Sequence, residues 1–425
     1  MKKLILFWFV LFSVSMAGQT EAELKVLADN AYSSETSYNN SRFIFDENGH
    51  TTAPYSGGTQ PTYYYNQVIN HLNNMMQYSG DTAYIDEMFV VLGKIRSIAT
   101  QNVSANVGKF NSAGYFNDGY YDWPSSKVVE DLWEGHGMRN IFEFLYWLKS
   151  YEADYFPEYE TQYNVNLAYF KANLVDKWIS RGYNRIFQIN TWMSSHIPYM
   201  CYFLSKITSG ADQTTYENLY KAFIGDGLTM TSIAASSRYD AGDNFKDHLF
   251  IDGTHGGYSW YGNWNESGAI GDINHQNAEV ELKYNMYLDG YLFTATDIDR
   301  LVTTIKAVFD NSPNADFLNI PFRSNAIYNA ADDNRNFVIP GWSKLTGHDS
   351  ALEADYYAIL NTSTINAGHY LPVFYSDRLL GKARINNTIA KPLFGSTVVT
   401  PPVIPDMDIF NKGIIKMKKL LLRRN

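Results

Sequence analysis

The chain of 425 residues contains a single cysteine, Cys201, so no internal disulfide can brace it. Cys201 lies in the apolar run Tyr199-Met200-Cys201-Tyr202-Phe203, the setting of a small buried hydrophobe rather than a reactive thiol. Long apolar runs are also lacking beyond the first residues. None approaches the ~20 residues needed to span a bilayer, so no membrane span is expected. Cations are outnumbered, 34 Lys and Arg against 44 Asp and Glu, for a formal charge of −10. Six of those cations crowd into the tail from Lys412 to Arg424, which leaves the body more acidic still. That argues against nucleic acid as a partner, because phosphate binding needs a basic face. The 9 histidines are scattered singly, without HxH or HExxH spacing, so no zinc or other metal site is signalled. No GxSxG elbow, phosphate loop or dinucleotide fingerprint is present either, and no cofactor is expected.

What the chain does have begins with MKKLILFWFVLFSVSMA. Two lysines, an apolar run from Leu4 to Val14 and the small residues Ser15-Met16-Ala17 read as an export signal over 1–17. Its removal would take the charge from −10 to −12, since Lys2 and Lys3 leave with it. The expected location is secreted or periplasmic. Aromatics make up 16% of the chain, with 33 Tyr and 9 Trp, an excess that suits a thick core or surfaces that stack on sugar rings.

Helical periodicity dominates the rest. Residues 19–30 form an expected opening helix and 31–62 a polar covering loop. From Tyr63, apolar residues recur at helical spacing through Met76, Ser79-Gly80-Asp81 breaks the run, and Tyr84 to Ile95 resumes it. The same helix, turn, helix pattern returns at 128–151 and 158–180, at 190–208 and 214–235, at 273–290 and 296–310, and in shorter pairs from about 349 to 390. Strand-type alternation is scarce before residue 390. Repeated hairpins predict an all-α chain, a toroid of about six or seven helical pairs over 18–390, because the repeats share no residue-level motif of a tandem solenoid. Residues 391–425, with Pro401, Pro402 and Pro405, form a tail of different character.

Three constellations could carry chemistry. In Trp133-Glu134-Gly135-His136-Gly137-Met138-Arg139-Asn140, glycines flank a histidine at a helix start, and Arg139 could hold a carboxylate through parallel hydrogen bonds. In Asn190-Thr191-Trp192-Met193-Ser194-Ser195-His196-Ile197-Pro198, an amide stands where a helix begins, either presented to a ligand or spent as an N-cap. The third is the Gly- and aromatic-rich stretch from Asp247 to Gly290. It holds His255, Tyr258, Trp260, Tyr261, Trp264 and His275, with Asp272 placed to cap the helix over 276–289. A long loop inside a helical chain costs about 1–2 kcal/mol per ordered residue, which points to a functional wall.

At these residues the chain resembles the polysaccharide lyases built on helical toroids, the chondroitin/hyaluronan and alginate lyase groups. Asn190-Thr191-Trp192 with Ile197-Pro198 looks like their Asn-aromatic motif, although it carries one tryptophan where two are common. Phe250-Ile251-Asp252-Gly253-Thr254-His255, followed by Tyr258 and Tyr261, looks like their His-then-Tyr stretch, with either tyrosine possible. The likeness covers about 128 to 290. It implies cleavage of a uronic-acid polymer such as alginate, glucuronan or a glycosaminoglycan by β-elimination. In that chemistry an amide or guanidinium must neutralise the sugar carboxylate so that the neighbouring ring hydrogen can be removed. A base then takes the proton and an acid protonates the leaving oxygen, each worth roughly 10²–10⁴-fold. The resemblance assigns neutralisation to Asn190, helped by Arg139 or Arg323. It makes His255 the base with His275 as its rival, and Tyr258 or Tyr261 the acid. Trp133, Trp192, Trp260 and Trp264 would stack on sugars, and His136 and His196 would line the same cleft.

Two other readings stand beside it. A helical-toroid glycoside hydrolase would use a pair among Asp243, Asp247, Asp252, Glu266 and Asp272. A non-catalytic glycan-binding protein would use the aromatic platforms alone. The expected partner is an acidic polysaccharide, and the expected state is a monomer.

Overall fold

A computed structural model describes residues 19–38, 65–105, 116–123, 132–150, 156–233, 243–253, 256–264, 275–310, 341–362 and 371–389. The chain is mostly helical with few strands, in keeping with the all-α expectation. The expected signal over 1–17 and the tail over 391–425 lie outside the described residues, as do His255, Glu266, Asp272 and Arg323.

The opening helix α1 spans Glu21–Tyr38, longer than the periodicity predicts. Its first turn is closed by Thr20, whose hydroxyl accepts from Glu23 N–H while the Glu23 carboxylate accepts from Thr20 N–H, a reciprocal capping box. The stretch from 31 to 38 is therefore helix rather than the covering loop expected there, because this box gives the chain a firm helical start.

The first hairpin follows its pattern closely. Helix α2 runs Tyr65–Ser79 and α3 runs Thr82–Ile98. Gly80 takes φ 64° between them, and the Asp81 carboxylate accepts from Ala83 N–H to start α3. After a two-residue strand pair, β1 (Thr100–Gln101) with β2 (Tyr121–Asp122), come α4 (Leu132–Met138), α5 (Asn140–Ser150) and α6 (Phe156–Phe170). A widened π turn over Lys171–Asp176 leads into α7 (Lys177–Arg181) and α8 (Tyr183–Ile186). Then come α9 (Thr191–Ser194), α10 (His196–Ile207), α11 (Gly210–Ile224), α12 (Met230–Ile233) and α13 (Phe245–His248). A second short strand pair joins β3 (Phe250–Ile251) to β4 (Tyr258–Ser259). The chain continues with α14 (Asn277–Leu288), α15 (Ala295–Asp310), a 3₁₀ turn over Trp342–Gly347, α16 (Ser350–Thr362) and α17 (Leu371–Asn386).

Packing sorts these elements into two kinds. Helices α2, α5, α10 and α14 and the 3₁₀ turn bury nearly every side chain, polar ones included, and α17 buries most of its own. Helix α2 packs on α5 and α17, α5 on α10, α10 on α14, and α14 on the 3₁₀ turn, which packs on α17. Each also has a partner on its other side: α3 against α2, α6 against α5, α11 against α10, α15 against α14, α16 against the 3₁₀ turn and α1 against α17. Close backbone approach at the last joint needs glycine. A Cβ on Gly381 of α17 would stand 2.6 Å from the Cα of Gly347. Cys201 is buried as expected, and burial pushes its thiol well above its usual range.

Two groups of buried charges are tied into networks. Arg139 donates from Nε and Nη2 to Oε2 of Glu281, at 3.0 and 2.9 Å. Lys344 Nζ lies 2.5 Å from Oε1 of the same carboxylate, and the Asn140 amide donates to it at 2.9 Å. Burial alone would raise the Glu281 carboxyl, but Lys344 and Arg139 outweigh it and hold it down at about 2. A second network joins Lys177 to Asp122 and Glu134 at 2.5 and 2.7 Å. Among the described residues, no helix is long and apolar enough to cross a membrane.

Candidate functional site

The Asn190 motif is held by pairing across about seventy residues of sequence separation. Asn190 forms an isolated antiparallel bridge with Asn263. Thr191 N–H donates to the Gly262 carbonyl and Trp264 N–H to the Ile189 carbonyl, each at 3.0 Å. The Thr191 hydroxyl adds a bond to the Tyr261 carbonyl at 3.2 Å. Below them the Ser194 hydroxyl donates to the Asn190 carbonyl and accepts from the Trp264 indole. The aromatic-rich stretch is thus stapled onto the start of α9.

Asn190 occupies the N-cap position of α9 with extended φ −87° and ψ 130°, but its side chain makes no capping bond. Its amide instead donates to the Met193 sulfur at 3.2 Å, a weak acceptor. The side chain is half-buried, as is Trp192. The Trp192 ring lies over His275, with centroids 4.2 Å apart and planes tilted by 35°. Tyr261 is half-buried, its ring 5.5 Å from that of Phe250 while its backbone carbonyl accepts from the Thr191 hydroxyl. One junction thus joins the backbone around Asn190 to that of residues 261–264, and Trp192 brings His275 to the same place.

Behind this group sit two buried imidazoles. His136 and His196 meet edge to face with centroids 5.5 Å apart. Gly135 makes this possible, since a Cβ there would fall 2.7 Å from the His196 Cβ. Burial pushes both rings well below their usual range, and the Arg139 charge pushes the same way, followed by the charge of His275. Both are neutral at physiological pH. His136 Nε2 pairs with the Asn66 amide at 3.3 Å, whereas neither ring nitrogen of His196 has a partner among the described residues. Trp133, at the head of α4, is half-buried.

Several expected site residues stand elsewhere. Arg139 is fully buried and committed to Glu281, so its guanidinium is a structural tie and not a free hand for a substrate carboxylate. Trp260 and Trp264 are 0% and 1% exposed, core residues rather than a stacking platform. Their alternation on a strand-like segment turned them inward once that segment paired with the Asn190 loop. Tyr258 donates its hydroxyl to Asp297 at 2.6 Å and accepts from Arg300 at 3.0 Å, facing α15. The cap of α14 is Gln276 without a side-chain capping bond, where Asp272 was expected. Of the acidic pairs considered, Asp247 is engaged with Asn244, and Asp243 lies 3.6 Å from His248.

Sequence reading missed the charged interior of α14. Glu279 accepts from the Trp260 indole at 2.9 Å, and burial pushes its carboxyl up to about 7 against the pull of Lys283. One turn on, the Lys283 ammonium lies 3.8 Å from the Phe245 ring centre and 4.1 Å from that of Trp260. Burial pushes it down to about 7. The signal was the pattern Glu279, Glu281, Lys283 in a helix with no clear polar face. Among the described residues, no group of three or more His, Cys, Asp or Glu could hold a metal ion. Compared with known proteins, the chain matches no family model, no curated protein and no solved structure.

Proposed function

We propose that this is a polysaccharide lyase that cleaves a uronic-acid polymer by β-elimination, built on a helical toroid. The order of helix neighbours supports the toroid, since it passes from α2 through α5, α10, α14, the 3₁₀ turn and α17 back to α2. The observation that carries the activity is the Asn190 amide, not spent on capping, next to a Trp192 ring that covers His275.

In this reading the Asn190 amide hydrogen-bonds the sugar carboxylate and stabilises the enolate-like intermediate. His275 takes the ring proton, and Tyr261 protonates the departing glycosidic oxygen. Trp192 stacks on the sugar ring, and the neutral pair His136 and His196 lines the floor. His255, which lies outside the described residues, remains the alternative base. The secreted location follows from the N-terminal reading and belongs to the same proposal.

The test is incubation with alginate, glucuronan and glycosaminoglycans while following the ultraviolet absorbance of the unsaturated product. Absorbance that disappears in Asn190→Ala and His275→Ala supports the reading. Reducing ends without that absorbance point to hydrolysis, and binding without turnover points to a glycan-binding protein; either result removes the lyase assignment.

A further inference from the structure

Away from the Asn190 junction, a pocket of about 430 Å³ opens between α13, the β3–β4 hairpin, the turn before α15 and α15 itself. Its size is within the range of small-ligand sites. Two cations line it, Lys246 and Arg300. Lys246 is exposed, and its ammonium makes no hydrogen bond or ion pair among the described residues. Arg300 uses Nη1 to reach the Tyr258 hydroxyl at 3.0 Å, and among the described residues its remaining guanidinium hydrogens are unclaimed. Asp297 is the one carboxylate on the wall, and it is already occupied by the Tyr258 hydroxyl and by Thr294 N–H at 2.6 and 2.8 Å.

The rest of the wall is apolar and held in place by an uncommon backbone. Leu292 sits at φ 61°, and the Phe293 N–H closes a three-residue turn onto the Tyr291 carbonyl at 2.7 Å. A branched side chain in that region is strained, and such strain persists where surrounding structure imposes it, often at ligand sites. The turn lends Leu292 to the pocket wall, opposite Ile251, which is 51% exposed. Cations with open donors beside an apolar wall, on a protein of net charge −10, form a local exception in its field.

We propose that this pocket is a second carbohydrate site that takes a single acidic sugar unit, with the carboxylate on Arg300 and Lys246 and the C–H face of the ring on Leu292 and Ile251. The guanidinium fork matches a planar carboxylate, and Tyr258 and Asp297 hold that fork in orientation. Tyr258 is then a positioning residue for Arg300. The proposal rests on the reading of the ligand as a uronate polymer, but not on where or how that polymer is cleaved.

Calorimetric titration of the full chain with sodium glucuronate, and with glucose as the neutral control, tests it. Glucuronate should bind, glucose should not, and the affinity should fall as sodium chloride is raised. Arg300→Ala should weaken glucuronate binding about tenfold or more, the loss of one charge-assisted pair. Lys246→Glu, at an exposed position where folding is not at stake, should weaken it by a similar factor. Absence of glucuronate binding to the wild-type protein, or affinity within about twofold of wild type in both variants, overturns the proposal. Glucuronate binding that depends on Lys246 and Arg300, with no unsaturated product from any polymer, leaves this site standing and removes the lyase reading. Product formation with no dependence of binding on either residue does the reverse.

Discussion

At the scale of single residues, the arrangement separates groups that hold the fold from groups free to act. Asn190 occupies a capping position without capping, so Asn190→Ala should leave the melting temperature nearly unchanged, whereas a capping Asn would cost about 1 kcal/mol. Its loss should lower turnover of a uronate polymer by about 10²–10³-fold, the usual range for removing one oxyanion-stabilising donor. Paired thermal melts and product assays distinguish the two roles. Lys283 gives a prediction with a definite sign. Burial holds its folded value at about 7, below the ordinary 10.5, so its cost to stability is full below pH 7 and fades as pH rises toward 10.5. Lys283→Met should therefore raise stability at pH 6, where Glu279 is largely protonated, by roughly 1–3 kcal/mol. That gain should shrink when the denaturant midpoints are compared at pH 9. Asn190, His275 and Tyr261 were legible in the sequence as chemistry-bearing types in unusual surroundings. Arg139 was misplaced because an arginine beside a histidine looks the same whether its partner is a substrate or a glutamate 142 positions away.

At the scale of elements, the hairpins were the most legible feature. Gly80 and Asp81 punctuate α2 and α3 through a left-handed turn and a carboxylate cap, both purely local devices. The most buried helices were harder to read as buried. Helix α14 carries Glu279, Glu281 and Lys283 within five residues and is buried almost throughout, which a polar-outside rule would not assign. Those charges are accommodated by partners on other elements: Arg139 from the joint between α4 and α5, Asn140 from α5, Lys344 from the 3₁₀ turn, and Trp260 next to β4. Breaking this tie from one side should be severe. Arg139→Met leaves Glu281 buried with Lys344 but without its two guanidinium hydrogen bonds and should cost about 3–5 kcal/mol in chemical denaturation. Gly135→Ala should displace His196 and with it the edge-to-face imidazole pair, visible as altered histidine ring signals.

At the scale of the whole molecule, the acid limb of stability should reflect the carboxylate at the centre. Glu281 is held at about 2 in the folded chain although burial opposes this, against 4.5 as its ordinary value. Its contribution is complete above the unfolded value and is lost as pH falls from about 5 toward 2, amounting to roughly 3 kcal/mol. Stability measured from pH 6 down to pH 3 should fall over that window, and Glu281→Gln should flatten the slope while lowering stability at pH 6. The sequence by itself determined the helical class, the first hairpin and the burial of Cys201, because periodicity, capping and turn chemistry act over a few neighbouring residues. Tertiary structure alone decided which tryptophans are core, that Arg139 belongs to Glu281, and that the Tyr258 hydroxyl belongs to Asp297 and Arg300. Those outcomes depend on which segments meet across a hundred residues or so. That choice is made by the joint burial of apolar surface and the pairing of buried charges such as Arg139 with Glu281, which no local pattern encodes.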